Sequence, residues 1–468
     1  MNIMNEHEEK SNELDVRIEL FFKRFKLRRI IQEIGATKTK GIPAYLIVVF
    51  ILKLVFIQKN FYRIFTSERE SMQFGKDAVY RLLCEPSVKW EEMVPAVSSA
   101  VIPVIDDLTS KERRSALIID DSPYYRDRSK KVELLSRFKD HSINRYYNGF
   151  NMLNMVWSDG VTTIPVDFRM VASNNDDCLI EGSHIKEDNR TTATRRRKKA
   201  RTPKPQLVLE MLGKAKGTPA QTQHVLFDSW FSPPKAILDI KRLGYDVVAR
   251  LKNNDNYRYL YNGQLLPISK ILKANKKRPG KSKYLLSVNV EVRHNDYEET
   301  VPAKIVFVRN SKNQKEWIAL ISTDMTLSEK EIIELYGKRW DIEPYHKVIK
   351  STLKLEKEFQ FRSFDAIVAH AALVVVRYIF LAVESRENTD ERSIGELFWL
   401  TCDELKDISF SEAFELLVST FANFLDEKLQ LTKEVIDSLV LHFAVSLPIY
   451  IKGSAAISDV RKLRHYFT

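Results

Sequence analysis

From Val16 to Ser110 the apolar positions recur at mostly helical spacing, through LFFKRFKLRRIIQEIG, then AYLIVVFILKLVFI, then VYRLLCEP and the segment leading to Val104. Residues at i, i+3, i+4 and i+7 share one helix face, so this spacing predicts an all-α region over residues 1–110. The texture then changes. SALIIDDS, Ser115 to Ser122, is a short apolar run closed by acids, which predicts a buried central strand. NGFNMLNMVWSDG reaches a turn at Asp159-Gly160 and VTTIPVDFRMV follows at once, the pattern of a β-hairpin. Next come a helical segment (PQLVLEMLGKAKG), an apolar strand ending in Asp228 (HVLFDSW), a second helix (PPKAILDIKRLG) and a strand (YDVVARLK).

Beyond Asn253 the pattern turns β-rich and polar in YRYLYNGQLLPI, KYLLSVNVEVRH, TVPAKIVFVRN and EWIALIST, predicting a small sheet inserted before the helical segment around Glu343. Aliphatic stripes from Asp365 to Thr468 predict helices suited to packing or oligomerisation. The order β-β-β-α-β-α-β resembles the ribonuclease H-like fold, in which acids sit at central strand ends and on a later helix. The expected class is therefore α/β: a ribonuclease H-like core over 111–252 and 326–385, a β-rich insertion at 253–325, and all-α flanks at 1–110 and 386–468.

Composition narrows the partners. The chain has 468 residues and a net charge of +12, a balance that favours a polyanion such as nucleic acid. Three scattered cysteines argue against a thiolate metal site or a disulfide framework, and they fit a reducing compartment. The polar N-terminus is unlike a signal peptide, and the apolar run from Ala44 to Ile57 is too short to span a bilayer and contains Lys53. The expectation is a soluble cytoplasmic protein with no membrane partner. Two basic stretches are DNA-contact candidates, with a solvated surface as the competing reading: Lys23, Arg24, Lys26, Arg28 and Arg29 on the first helix, and the connection TRRRKKARTPKPQ, Thr194 to Gln206.

The densest chemistry lies in YGKRWDIEPYHKVIK. On a regular helix Tyr336, Arg339, Glu343 and Lys350 fall within a sector of about 60°, so one acid sits between two cations and a phenol. Charges at such spacing also make ordinary solvated faces, but the interleaved Trp340, Ile342, Tyr345 and Val348 point to partial burial. Asp120 or Asp121 closes the first strand, Asp228 ends a later one, and Glu343 completes a set of carboxylates with no Cys or His cluster. That set favours hard cations, Mg²⁺ or Mn²⁺. Two such ions about 4 Å apart activate a water or 3′-hydroxyl and stabilise the leaving oxygen of a phosphoryl displacement. His346, beside Glu343, reads as a phosphate contact or packed residue rather than a ligand.

The spacing Y-x2-R-x3-E-x6-K around Glu343 resembles the signature of the IS-four type of insertion-sequence transposases, DDE enzymes with a β-rich insertion before the Glu. The resemblance runs from about Leu117 to Lys350 in order and architecture. It implies Asp228 (in FDSWF) and Glu343 as the second and third catalytic acids, and it selects Asp121 over Asp120 in IDDSP as the first. It implies that Tyr336, Arg339 and Lys350 hold phosphates near the transposon terminus and that Arg250 and Lys252 grip DNA near the cleaved end. Trp317 resembles an insertion-sheet tryptophan that stacks on a flipped base in related enzymes, with ordinary core packing as the competing reading and Trp230 as a rival stacking candidate. The activity implied is cut-and-paste transposition: binding of terminal inverted repeats, cleavage with two Mg²⁺ ions per site, and joining of 3′-hydroxyls to target DNA, by a homodimer at the bacterial nucleoid. A domesticated or inactive relative that only binds DNA is the alternative. One departure stands out, for Pro344 follows Glu343 where the family often has an acid, so the helix is expected to kink or restart there.

Overall fold

The computed structural model describes residues 13–37, 41–56, 61, 74–140, 143–278, 284–309, 317–387, 435 and 438–439. The chain divides into two compact units, and the elements that form the site belong to the larger one, Lys23–Leu52 with Asn60–Glu391. In the smaller unit, Ile18, Phe21 and Phe22 are buried and Lys53 pairs with Asp15 at 2.5 Å. Most of the region expected to be helical at 386–468 lies outside the described residues.

The N-terminal part is helical, as its periodicity predicts: α1 (Glu13–Arg24), α2 (Leu27–Glu33), α3 (Ala44–Leu54), α4 (Lys76–Leu83) and α5 (Met93–Asp107). The basic cluster does not lie on one helix, because the chain breaks at Lys26, whose φ of 53° is left-handed and cannot continue α1. Arg29 pairs with Glu33 at 2.7 Å, and the Arg28 guanidinium stands 4.4 Å from the Tyr45 ring centre.

The sheet begins with β1 (Ala116–Tyr125), β2 (Ser136–Asp140), β3 (Arg145–Ser158) and β4 (Thr163–Val171). Two helices follow, α6 (Thr192–Ala200) and α7 (Lys204–Ala215), then β5 (His224–Phe227), α8 (Pro234–Arg242) and β6 (Asp246–Leu251). β3 pairs antiparallel with β1 and β4, whereas β1, β5 and β6 run parallel. The order β4-β3-β1-β5-β6 is the ribonuclease H-like core, with β2 added along the first residues of β3. At Gly149 the strands approach so closely that a Cβ would stand 2.0 Å from the Tyr124 carbonyl oxygen, so only glycine fits.

The next strands are β7 (Arg258–Tyr261), β8 (Gln264–Pro267), β9 (Tyr284–Val292), β10 (Val301–Arg309) and β11 (Trp317–Ser322), with α9 (Ile268–Lys273) after β8. They do not form a sheet of their own, as the sequence led us to expect. β11 pairs antiparallel with β6, and the 11-stranded sheet runs on through β10, β9, β7 and β8. The reason is edge chemistry. β6 would otherwise leave a row of unpaired backbone groups, and β11 is buried along Ala319 to Ser322.

The chain then enters α10 (Glu329–Gly337), which packs on β6 and β11, and continues through α11 (Ile342–Lys347) to the long α12 (Phe364–Glu387). One helix among the described residues, Phe364–Arg386, is long and apolar enough to cross a membrane, and its most apolar 18-residue window is 100% buried inside the protein. Its polar residues have internal partners. Glu358 receives His370 Nε2 and Arg377 Nη1, each at 2.7 Å, which offsets the cost of burying the three groups.

Candidate active site

Strand register decides which acids can meet. β1 and β5 are parallel neighbours whose last pair is Ile119 with Phe227, so Asp120 and Asp228 come next at the same level. Side chains alternate along a strand, which sets Asp120 and Asp228 on one face and Asp121 on the other. Asp228 acts electrostatically on Asp120, and its Oδ1 accepts a hydrogen bond from the Trp230 backbone N–H at 2.8 Å.

The segment carrying Glu343 reaches the same face, but not as one regular helix. α10 opens with a capping box between Ser328 and Glu331. It gives way to a 3₁₀ turn (Lys338–Asp341), then α11, then a π turn (Val348–Thr352). Pro344 lies in the first turn of α11, where its missing N–H would have had no helical partner anyway. The changes of pitch break the single ridge expected from a constant 100° spacing. Convergence survives, because the 3₁₀ turn lies against both β1 and β5. The buried Arg339 puts Nη1 3.6 Å from Asp120 Oδ2 and 3.9 Å from Glu343 Oε1. Glu343 itself is 49% exposed at its side chain, open to a ligand from solvent.

The electrostatics set Asp120 apart. Burial, followed by the charges of Asp121 and Asp228, pushes its carboxyl up to about 7, and Arg339 only partly opposes them. Asp121 is engaged elsewhere. It holds the Lys204 ammonium, which also stands 4.9 Å from the ring centre of the exposed Trp230. The first acid expected from resemblance was Asp121, but the acid facing Asp228 and the Arg339–Glu343 pair is Asp120. The register with β5, a hundred residues away in sequence, decides that parity, and no local pattern carries it.

The other expected contacts spread around this centre. Tyr336 is buried, which raises its hydroxyl, while Arg339 and Arg250 pull it down and Asp228 pushes it up, so these four groups form one neighbourhood. Lys350 is partly buried, which lowers its ammonium, and Glu356, Asp140, Asp121 and Glu343 hold it up. Lys252 is exposed just past the end of β6. Trp317 lies edge-on to Phe307 at 5.4 Å and lines a cavity of about 670 Å³ with Asn253, Ser269, Leu272, Lys273, Asn275 and Lys277. His346 is a packed residue. Burial, then Lys350 and Arg339, lower its pKa to about 3, so its ring is neutral.

The run TRRRKKARTPKPQ is not the loop that the sequence suggested. Thr191 caps α6 by accepting from the Thr194 N–H, and the helix turns two arginines inward. Arg196 pairs with Glu91 at 2.9 Å and with Asp365; Arg197 pairs with Glu133 at 2.6 Å and with Asp365 at 2.8 Å. Lys199 and Arg201 face Glu210 and Asp176 at 3.6 and 2.5 Å. Much of this charge is spent within the fold.

Among the described residues no group of three or more His, Cys, Asp or Glu side chains is gathered closely enough to hold a metal ion as it stands. The chemistry of the donors still suits a hard cation. Asp120, Asp228 and Glu343 are all oxygen ligands, and the elevated Asp120 is a carboxylate whose ionisation this fold does not fully support. A family model described as "DDE superfamily endonuclease" matches residues 59–300, a span that includes Asp120, Asp121 and Asp228 and stops before Glu343. A search of curated proteins finds no match.

Proposed function

The chain belongs to the DDE superfamily endonuclease family, and on that premise we propose that it is a cut-and-paste DNA transposase of the IS-four type. The reading is supported above all by Arg339 standing between Asp120 and Glu343 on the face that Asp120 shares with Asp228. In this proposal Asp120, Asp228 and Glu343 hold Mg²⁺, or Mn²⁺ in its place, two ions per site; Asp121 is the alternative first acid. The bound ions would supply Lewis-acid activation of a water or 3′-hydroxyl and neutralise the leaving oxygen.

The rest of the work falls to this chain's own groups. Arg339 has charge on both sides of the cleft and is placed to meet a phosphate as its carboxylate partners turn to other ligands. Tyr336 and Arg250 extend that phosphate surface, with Lys252 and Lys350 beyond them. Trp317 offers an indole face in a cavity edged by Lys273 and Lys277, a chemistry that suits an unpaired base with its phosphate. The helices of 1–110 are assigned to recognition of the terminal inverted repeats. The 386–468 region is assigned to pairing two protomers on DNA at the bacterial nucleoid.

The test is to incubate the purified protein with labelled DNA carrying the repeats that flank its gene, in Mg²⁺. Nicks confined to the element end, lost in Asp228→Asn and Glu343→Gln variants that still bind, support transposition. A second reading, DNA binding without cutting, is favoured by the spacing of the acids, which are not gathered into a ready metal site. Binding with no nicks in either Mg²⁺ or Mn²⁺ would select it.

A further inference from the structure

Asn154 sits in the middle of β3 and is 0% exposed, in a run of apolar residues where an amide is a poor strand former and costly to bury unpaired. Both sides of its amide are used. Nδ2 donates to the Met152 carbonyl at 2.9 Å and to His346 Nε2 at 3.2 Å, and Oδ1 accepts from the Tyr345 hydroxyl at 3.1 Å. The neutral His346 ring can accept at Nε2, so the three side chains satisfy one another. Four residues further along the same strand, Ser158 Oγ donates to Asp341 Oδ2 at 2.6 Å.

Glu343 lies midway between Asp341 and Tyr345, so two bonds to a single strand bracket it. Helical pitch changes on both sides, from 3₁₀ before α11 to π after it, and a backbone ladder of mixed pitch leaves more of the orientation of α11 to these anchors. The strand that supplies them is also the partner of β1, and Asn154 stands directly opposite Asp120.

We infer that Asn154 is a positioning residue: through Tyr345 and His346 it sets where the Glu343 carboxylate stands relative to Asp120, and so how tightly the acids hold a divalent cation. The inference rests on the metal-binding reading above and deepens it.

The test is a Mn²⁺ titration of the full-length protein, read by the loss of the free-ion electron paramagnetic resonance signal. Near-ultraviolet circular dichroism shows that each variant is folded. Asn154→Leu is expected to weaken binding about tenfold or more, the range seen when groups supporting metal ligands are removed. Tyr345→Phe deletes one hydroxyl and keeps the ring against Tyr378, and it is expected to weaken binding about threefold by the same route. A group acting through Glu343 loses its effect once Glu343 is gone, so neither change should weaken Mn²⁺ binding further in a Glu343→Gln background. A merely structural role predicts the opposite, the same factor in both backgrounds. That additivity, or wild-type affinity in both folded variants, overturns the proposal while leaving the metal reading intact. If Asn154→Leu does not fold, the Tyr345→Phe cycle decides alone. No saturable Mn²⁺ binding by the unsubstituted protein would remove the metal reading and this inference with it.

Discussion

Two clusters of charge lie inside the larger unit, and they are resolved in opposite ways. Around α6, Arg196 and Arg197 face Glu91, Glu133 and Asp365 at hydrogen-bonding distance. Burial works against ionisation of Glu133, but the Arg197 guanidinium and the backbone N–H groups of Phe364 and His184 overcome it and hold the carboxyl below its ordinary range. Around Asp120 burial and the charges of Asp121 and Asp228 outweigh Arg339, whose Nη1 stands 3.6 Å away, and the carboxyl is pushed up instead. Around α6 every carboxylate meets a guanidinium at hydrogen-bonding distance and the cluster ties separate elements together. Around Asp120 a buried carboxyl is left at odds with its own charge.

The largest expected effect breaks the paired cluster around α6. Arg197→Met leaves Glu133 buried without its guanidinium partner, while Asp365 keeps Arg196, and should cost about 3–5 kcal/mol of stability, measured by urea unfolding. If the basic run were instead a DNA grip, the same variant would weaken DNA binding and leave the unfolding midpoint in place.

The acid-rich cluster should respond with the opposite sign. A carboxyl whose folded pKa of about 7 lies above its unfolded value near 3.8 keeps its proton longer when folded, so its contribution to stability falls as pH rises between those values. Asp120→Asn removes that penalty. In metal-free buffer it should raise stability at pH 8 by on the order of 2 kcal/mol, and the gain should disappear by about pH 4. An Asp120→Asn variant less stable than its parent at pH 8 would show that the two clusters are alike.

Two smaller effects sharpen the contrast. Lys204→Gln removes the ammonium that Asp121 holds; because that cation serves an acid and not a phosphate, the slope of log DNA affinity against log salt should change by less than about one counterion. Arg114→Gln breaks a pair with Glu331 whose side chains are 48% and 40% exposed, and it should change stability by less than about 0.5 kcal/mol.

The sequence disclosed elements set by local pattern and concealed whatever depends on distant pairing. The hairpin turn at Asp159-Gly160 was legible because its second residue needs the left-handed region, and Gly160 has a φ of 90°. β1 and β5 were legible from their fully buried apolar stretches, Ala116 to Ile119 and Val225 to Phe227, as expected of strands covered on both faces. The inward aim of Arg196 and Arg197 was not, since their partners Glu91, Glu133 and Asp365 come from three other parts of the chain. Nor was the attachment of β11 to β6, where the edge of the core becomes the middle of a larger sheet. At the candidate site, the strand end at Asp228 and the helical segment around Glu343 were legible from local pattern. Which of Asp120 and Asp121 shares a face with Asp228 required the register with β5, whereas the restart of the helix near Glu343 was legible from Pro344.

In the proposed site Asp120, Asp228 and Glu343 converge on divalent cations while Asp121 serves Lys204. Anomalous scattering from Mn²⁺ in crystals of the protein bound to DNA tests it most directly. Mn²⁺ peaks are expected within about 2.3 Å of the Asp120 and Asp228 carboxylates, with Glu343 drawn in and Lys204 still on Asp121. Mn²⁺ on Asp121 with Asp120 left unliganded, or peaks remote from all of these acids, would contradict it.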